Sequence, residues 1–481
     1  MTNSMISLDR RLDGRVAVGG PKPLPAAAVP TITRRRLTAL LGASAGAALP
    51  ACGLQTGPTA DPGQSAARSP VTIEYYTTLN ARQNDNHKAL LLEPFTRANP
   101  HITVNVIPSE GDFQTKLRAL AAGGTPPDVT WTAYPEYFLG GLIQDIAHLV
   151  KRDKYNLGVW PKGLFEGMCT WRGGKIIGLP NQSGGNWPVM PYNKDLFKQA
   201  GVPEPPATWG DTRWNTAAYL DTLQKTTRTG ADGKVASYGT NQAGPGLYTA
   251  NWPGMWSASW LSDDFKTITC DSAQMVEAMQ YLVDLIVRHR VMASGPMLSE
   301  AFGNTNATTA FLNGRLATLI VAGGGLFALT QAVAEGNLPI AYAPTPLFKA
   351  TNAANNVDDN GIVSGAKHPD EAWAYVKWQA DTPNWAISRG TFPARPDHVD
   401  AWAKELFPGT LAKDMHLDVQ RDSLKNANRI DPIFHLPTYR KMSAELIQPA
   451  FAKMTAGQAN ASTALKEIKA PLQSLVPVNL P

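Results

Sequence analysis

The segment Val71-Thr72-Ile73-Glu74-Tyr75-Tyr76, with Ile102-Thr103-Val104-Asn105-Val106 and Asp128-Val129-Thr130-Trp131 after it, decides the fold class. Val71, Ile73 and Tyr75 alternate with Thr72, Glu74 and Tyr76, and Ile102, Val104 and Val106 repeat the same period of two, which predicts strands. Between them, Ala81 to Asn99 has the length of a helix and ends before Pro100. Pro94 requires a kink or break inside it, because proline has no N–H for the helical ladder. Asp112 can cap a further helix with Phe113, Leu117 and Leu120 on one face, which Gly123-Gly124-Thr125-Pro126-Pro127 stops. Asp128 to Trp131 then reads as a third strand. Farther on, Met275, Met279, Leu282 and Ile286 mark a buried helix face, and Asp370 to Ala380 a late helix after the His368-Pro369 break. Strands alternating with helices predict parallel α/β layers.

Toward the N-terminus the character of the chain changes. Thr33-Arg34-Arg35-Arg36-Leu37 resembles a twin-arginine export pattern, and the apolar run Leu37 to Leu49 is too short for a membrane helix, which needs about 20 residues. Leu49-Pro50-Ala51-Cys52 resembles a lipobox, which implies lipid attachment at Cys52; Pro50 departs from the small or β-branched residue usual there. Residues 1–51 therefore read as an export signal and 52–70, rich in Gly, Pro, Ser, Thr, Ala and Gln, as a flexible tether. The leader holds seven of the 44 Lys and Arg and two of the 39 Asp and Glu, so 37 of each sign remain. The body is neutral overall and shows no clustered basic face for nucleic acid. Its 411 residues from Val71 exceed one ordinary core and suggest two domains. Cys169 and Cys270 either pair outside the cytoplasm or stay as two buried thiols.

Five ordered stretches carry a family resemblance. They are Ala98-Asn99-Pro100-His101-Ile102-Thr103-Val104, Gly124-Thr125-Pro126-Pro127-Asp128-Val129, Tyr192 through Val202, Ala310 through Thr318, and Gly361 through Trp373. Together they resemble the extracellular solute-binding proteins of ABC importers, in the group that takes up sugars and glycerol phosphates. The resemblance implies an α/β fold of the periplasmic-binding-protein type (class II), with two lobes, a ligand cleft and a hinge of several crossovers. It places one lobe at 71–182 plus 317–388 and the other at 183–316 plus 389–481. It also implies hinge closure on the solute and recognition by a membrane permease, for a monomer that needs no cofactor.

A sugar offers hydroxyls to polar side chains and C–H faces to aromatic rings, and all thirteen Trp follow the leader. Most are expected in cores, because aromatic burial is the default. The loop candidates are Asn186 and Trp187, before the Tyr192 stretch, and Trp252 and Trp256, which recur with Trp260 every four residues. Trp131 and Tyr134 follow a strand end, where ligands sit in open α/β sheets; Asp128 is expected to be a structural cap. Thr78 and Asn80 occupy the equivalent rim after the first strand, and Glu110 and Asp112 the rim after the second. Gly323 and Gly324 look like a small-residue loop that could admit backbone N–H groups to a ligand or simply turn the chain. Asp358, Asp359 and Asn360 belong to a loop dense in hydroxyl partners, and two adjacent Asp on extended backbone point to opposite sides. Arg389, Arg395 and Arg429 follow; Arg429, in Asn426-Ala427-Asn428-Arg429, resembles the phosphate-binding Arg of glycerol-phosphate binders, while a lone Arg also serves in surface ion pairs.

An enzyme is the rival reading. After Val71 there is no Gly-x-Ser-x-Gly elbow, no His-Glu-x-x-His and no Gly-x-x-x-x-Gly-Lys loop, and the eight His show no metal-ligand spacing. A glycosidase carboxylate pair, whose members can lie far apart in sequence, stays open, as does a sensor lipoprotein that feeds no transporter.

Overall fold

The alternation of Ile73 and Tyr75 with polar neighbours becomes strand β1 (Val71–Thr77). Strands β2 (Ile102–Pro108), β3 (Val129–Trp131), β4 (Leu179–Ser183), β5 (Met190–Asn193), β6 (Ile340–Ala343), β7 (Val357–Ile362) and β8 (Phe392–Pro393) follow. The structure, a computed structural model, describes residues 69–481 apart from 80, 133–134, 184–188, 243, 245–251, 322–327, 330–331, 334–337, 352–356, 408, 410, 427–430, 479 and 481.

Six strands form one sheet in the order β8-β4-β7-β3-β1-β2. β1 runs parallel to β2 and β3, whereas β7 runs antiparallel to β3 and β4, and β8 antiparallel to β4. The sheet is therefore mixed, not wholly parallel. The difference arises at the crossovers, since β7 and β8 enter the sheet from the edge at which β1, β2 and β3 end. The helical stretch after β1 divides as expected of Pro94: a π-turn, Lys88–Leu92, precedes Glu93–Ala98, and Pro94 sits in the first turn of that last segment. The helical run is continuous, so the missing N–H leaves a carbonyl of the preceding turn free, and the Leu90 carbonyl accepts from Asn384 Nδ2 (3.1 Å). Asp128, 4 % exposed, accepts from the Glu74 amide (2.9 Å) and the His368 amide (3.1 Å), so it pins a strand and a loop and does not cap a helix.

Close approach explains two glycines in the sheet. A Cβ on Gly361 would strike the Ile177 carbonyl oxygen and the Thr132 methyl, and one on Gly178 would lie 2.5 Å from Asp359 Oδ2.

The hydrophobic core that begins under the sheet continues into a group of elements around helix Ala273–Val287, whose Met275, Met279, Leu282 and Ile286 are buried as the periodicity predicts. β5 pairs antiparallel with β6, Tyr192 bridges Thr318, and Thr240–Asn241 pairs in parallel with Met292–Ala293. The β5–β6 pairing crosses the expected lobe boundary, because 340–343 was expected with the first lobe and 190–193 with the second. The C-terminal helix Ala461–Ser474 joins this group: Cys270 Sγ lies 3.5 Å from the Leu465 carbonyl, and the Ala461 amide donates to Gln280 Oε1 (3.1 Å). Cys169 and Cys270 are both free thiols, each buried. Among the described residues, no helix is long and apolar enough to cross a membrane.

Candidate functional site

Because β4 runs alongside β1, β2 and β3 and opposite to β7 and β8, the register brings Thr77, Pro108, Trp131, Ser183, Val357 and Phe392 to one edge of the sheet. This is the carboxyl edge of the parallel strands, beyond which ligands gather in open α/β sheets. Three groups of side chains meet there.

The first is aromatic. Tyr76 stacks on Phe113 (centroids 4.5 Å apart) and its hydroxyl lies within hydrogen-bond distance of Ser109 Oγ (3.0 Å) and of the Phe113 carbonyl (3.2 Å). Phe113 in turn meets Trp131 edge-on at 5.5 Å. Trp131 is half-buried, so part of its ring remains open at the rim.

The second is acidic. Asp358, the second residue of β7, accepts from Gln182 Nε2, and Gln182 Oε1 accepts from the Thr391 hydroxyl (2.5 Å). Burial pushes the Asp358 carboxyl above its ordinary range, against the opposing pull of Arg389, Trp131 and Gln182.

The third is cationic. The Arg389 guanidinium lies over the Trp385 ring, 4.6 Å from its centroid, and Nη2 donates to Thr78 Oγ1 (3.3 Å). Stacking and the hydroxyl fix the fork's plane, which prepares its other N–H groups for a planar or hydroxylated partner. The buried Arg389 Nε finds no hydrogen-bond partner among the described residues.

Thr78, Trp131 and Asp358 thus come together as sites at this edge. Glu110 and Asp112 are exposed beside the end of β2, and Asp112 also caps helix Phe113–Ala122 by accepting from the Thr115 amide (2.8 Å). Several expectations are corrected. Asp358, Asp359 and Asn360 all lie in a central strand, not a loop, and Asp359 and Asn360 point into the layers beneath the rim. Asn360 is fully buried and donates to Tyr75 Oη (3.3 Å) and Gln379 Oε1 (2.8 Å). Asp359, 2 % exposed, lies against Gly178, Thr132 and Cys169. Trp252 and Trp256 are 0 % and 2 % exposed and form a core cluster with Tyr281 and Phe348; Trp256 stacks on Phe348 at 4.3 Å, and Trp252 Nε1 donates to the Ala278 carbonyl (2.7 Å). Bulk and apolarity drive both rings into the core once a hydrogen-bond acceptor is within reach.

Asn80, Tyr134, Asn186, Trp187, Gly323, Gly324, Arg429 and Cys52 lie outside the described residues. No sequence pattern marks Gln182 or Thr391 for this edge, and the sequence offers Arg389 only as one of three arginines of the returning segment. Arg389 sits 311 positions from Thr78, a separation that no local pattern signals. Arg395, by contrast, is spent in ion pairs with Asp381 (3.1 Å) and Asp397 (2.6 Å). Among the described residues no cluster of three or more His, Cys, Asp or Glu could hold a metal ion.

Comparison with known proteins points in one direction. Residues 73–384 match the family model described as "Bacterial extracellular solute-binding protein". A putative ABC transporter periplasmic-binding protein of Escherichia coli K12, YcjN, is 25% identical over 261 residues, which is 50% of this chain and 55% of the relative; the chain thus matches about half the length of that protein. Among solved structures, the substrate-binding protein Lmo0181 of Listeria monocytogenes in complex with cycloalternan superposes with a TM-score of 0.67 at 21% identity, covering 84% of this chain and 99% of that one. Maltose-bound MalE3 of T. maritima gives 0.62 at 22% with the same coverages. A Rhizobium etli sugar transporter in an open conformation gives 0.67 at 19%, again covering 84% and 99%. The fold is of the periplasmic-binding-protein type.

Proposed function

The chain belongs to the bacterial extracellular solute-binding proteins, and from that premise we propose that it captures a carbohydrate or related polyol and delivers it to the permease of an ABC importer. The observation that carries the reading is the sheet edge where Trp131, Asp358, Gln182, Arg389 and Thr78 converge. A ring face for sugar C–H groups, a carboxylate acceptor and a fixed guanidinium donor are the three chemistries that a polyol needs. The similar solved proteins hold cycloalternan and maltose, which supports a saccharide as the class of solute.

In this reading the sheet group and the group around Ala273–Val287 act as lobes that close on the solute, with the strands next to residues 184–188 and 352–356 as the crossovers. The protein works outside the cytoplasm, held to the membrane by lipid at Cys52, as a monomer without a cofactor and without catalysis. Asn186, Trp187, Asn80, Tyr134 and Arg429 complete the proposed contact set.

Thermal-shift screening against disaccharides, sugar alcohols and glycerophosphodiesters tests the proposal, because a solute that binds only the folded state raises the melting temperature. A rise of several degrees with one polyol class is expected. No rise with any of them would overturn the reading, and hydrolysis of an oligosaccharide by the pure protein would replace it with an enzyme.

A further inference from the structure

An ion pair at the proposed solute rim links the sheet side to the helical side, beside the ring contacts of Trp171 with Phe265 (6.1 Å) and His435 (6.1 Å). Glu136, in helix Pro135–Leu139, follows the end of β3 by five residues and is 8 % exposed. Its Oε1 accepts from Gln114 Nε2 (3.2 Å), from the helix that follows β2, and pairs with Arg440 Nε at 2.8 Å. Arg440 belongs to the opposite group. Its helix, Tyr439–Met442, continues through the π-turn Ser443–Ile447 into Gln448–Thr455, which packs on Ala461–Ser474, and that helix rests on Ala273–Val287. The same segment is tied there again by Asp431, which accepts from the Trp260 amide (2.7 Å) and from Ser259 Oγ (3.0 Å).

Arg440 therefore reaches from a rigid helical stack onto an acidic stretch of the facing rim, where Asp112 and Glu136 both sense its charge. The Arg118 guanidinium packs over Gly140, 3.3 Å from where a Cβ would lie, and backs Glu136 from its own side. Burial of one partner and partial exposure of the other (9 % and 48 % of the side chains) makes this contact worth more than a surface pair and easier to break than a core pair. A contact of that strength suits an element that must form and release.

We propose that Glu136 and Arg440 form a latch across the cleft, which holds the two lobes together and sets how long the solute stays. The latch rests on the reading of this edge as a solute rim, but it acts between protein groups and is measurable without solute. Breaking it leaves the solute contacts at Trp131, Asp358 and Arg389 in place, so it changes release more than encounter.

The test is a distance measurement between spin labels on the full chain, with Cys52→Ser so that only the two buried cysteines remain, and labels at Lys151→Cys and Gln458→Cys, both exposed, one on each group. The solute-free protein should give one short, narrow distribution. Glu136→Gln and Arg440→Gln should each broaden and lengthen it, and the charge-swapped pair Glu136→Arg with Arg440→Glu should restore it. With a saccharide found by screening, both single variants should release it about tenfold faster, at an association rate within about threefold of the parent. An unchanged distribution in Glu136→Gln overturns the latch. Failure of every saccharide to bind overturns the solute reading alone, because the distance measurement stands without it.

Discussion

Asp358 and Asp359 are neighbours in the chain and occupy opposite sides of the sheet. Asp358 accepts from Gln182 at the open edge, while Asp359 is buried against Thr132 and Cys169. A register shift between the two residues opposes Asp358 to Gln182 and Asp359 to Pro180, leaving Asn181 unpaired in the bulge. One carboxyl is offered to a ligand and the other is withdrawn from it, which separates their expected roles.

Asp358→Asn should weaken solute binding about tenfold, because it removes a charged acceptor at the rim while keeping the side chain's shape. Titration calorimetry on the saccharide identified by screening measures it. Equal affinity in the variant and the parent would place the solute elsewhere.

Asp359→Asn should leave affinity unchanged and alter how stability depends on pH. Burial raises the Asp359 carboxyl to about 7, against about 3.9 in the unfolded chain. Between those values the folded state keeps a proton that the unfolded state has lost, so the parent loses stability as pH rises through this window and levels off above it. The Asn variant has no charge to bury. It should melt with the parent near pH 4 and about 3–6 °C above it at pH 8. A gap that stays constant across the range would contradict this account.

Arg389→Gln should cost about tenfold or more in affinity, the usual loss for a charge-assisted contact. Thr78→Ala, which only releases one N–H of the fork, should cost a few-fold. Calorimetric ranking of the two is the check, and a larger loss for Thr78→Ala would show that the hydroxyl meets the solute directly.

Trp252→Ala should destabilise the fold by about 3–5 kcal/mol, as expected for emptying a large buried site, with affinity of the folded protein held within about twofold. Trp131→Ala should do the reverse, losing affinity at modest cost in stability. Denaturant unfolding beside binding measurements separates the two; equal effects on binding would return Trp252 to the site.

Much of this was readable from the chain. Period-two alternation at 71–76 and 102–106, the Asp112 cap and the buried face of Met275, Met279, Leu282 and Ile286 depend on neighbours within a few residues, and all appear as expected. Reading Asp358 to Asn360 as a loop failed because Asp and Asn favour turns, whereas pairing on both sides with β3 and β4 outweighs that preference. Trp252 and Trp256 misled for a similar reason: Pro253-Gly254 beside them signals a turn, but a turn can be buried when its polar groups find partners.

The sequence by itself determined the strand–helix alternation, the neutral body behind a basic leader, and five ordered stretches sufficient to indicate the family, since these are set by local spacing and charge. Only the tertiary structure decided which residues share the rim. Thr78 meets Arg389, Asp358 meets Gln182 and Glu136 meets Arg440, each across more than 170 positions of chain. Strand order and register bring them together, and neither is written in any local pattern.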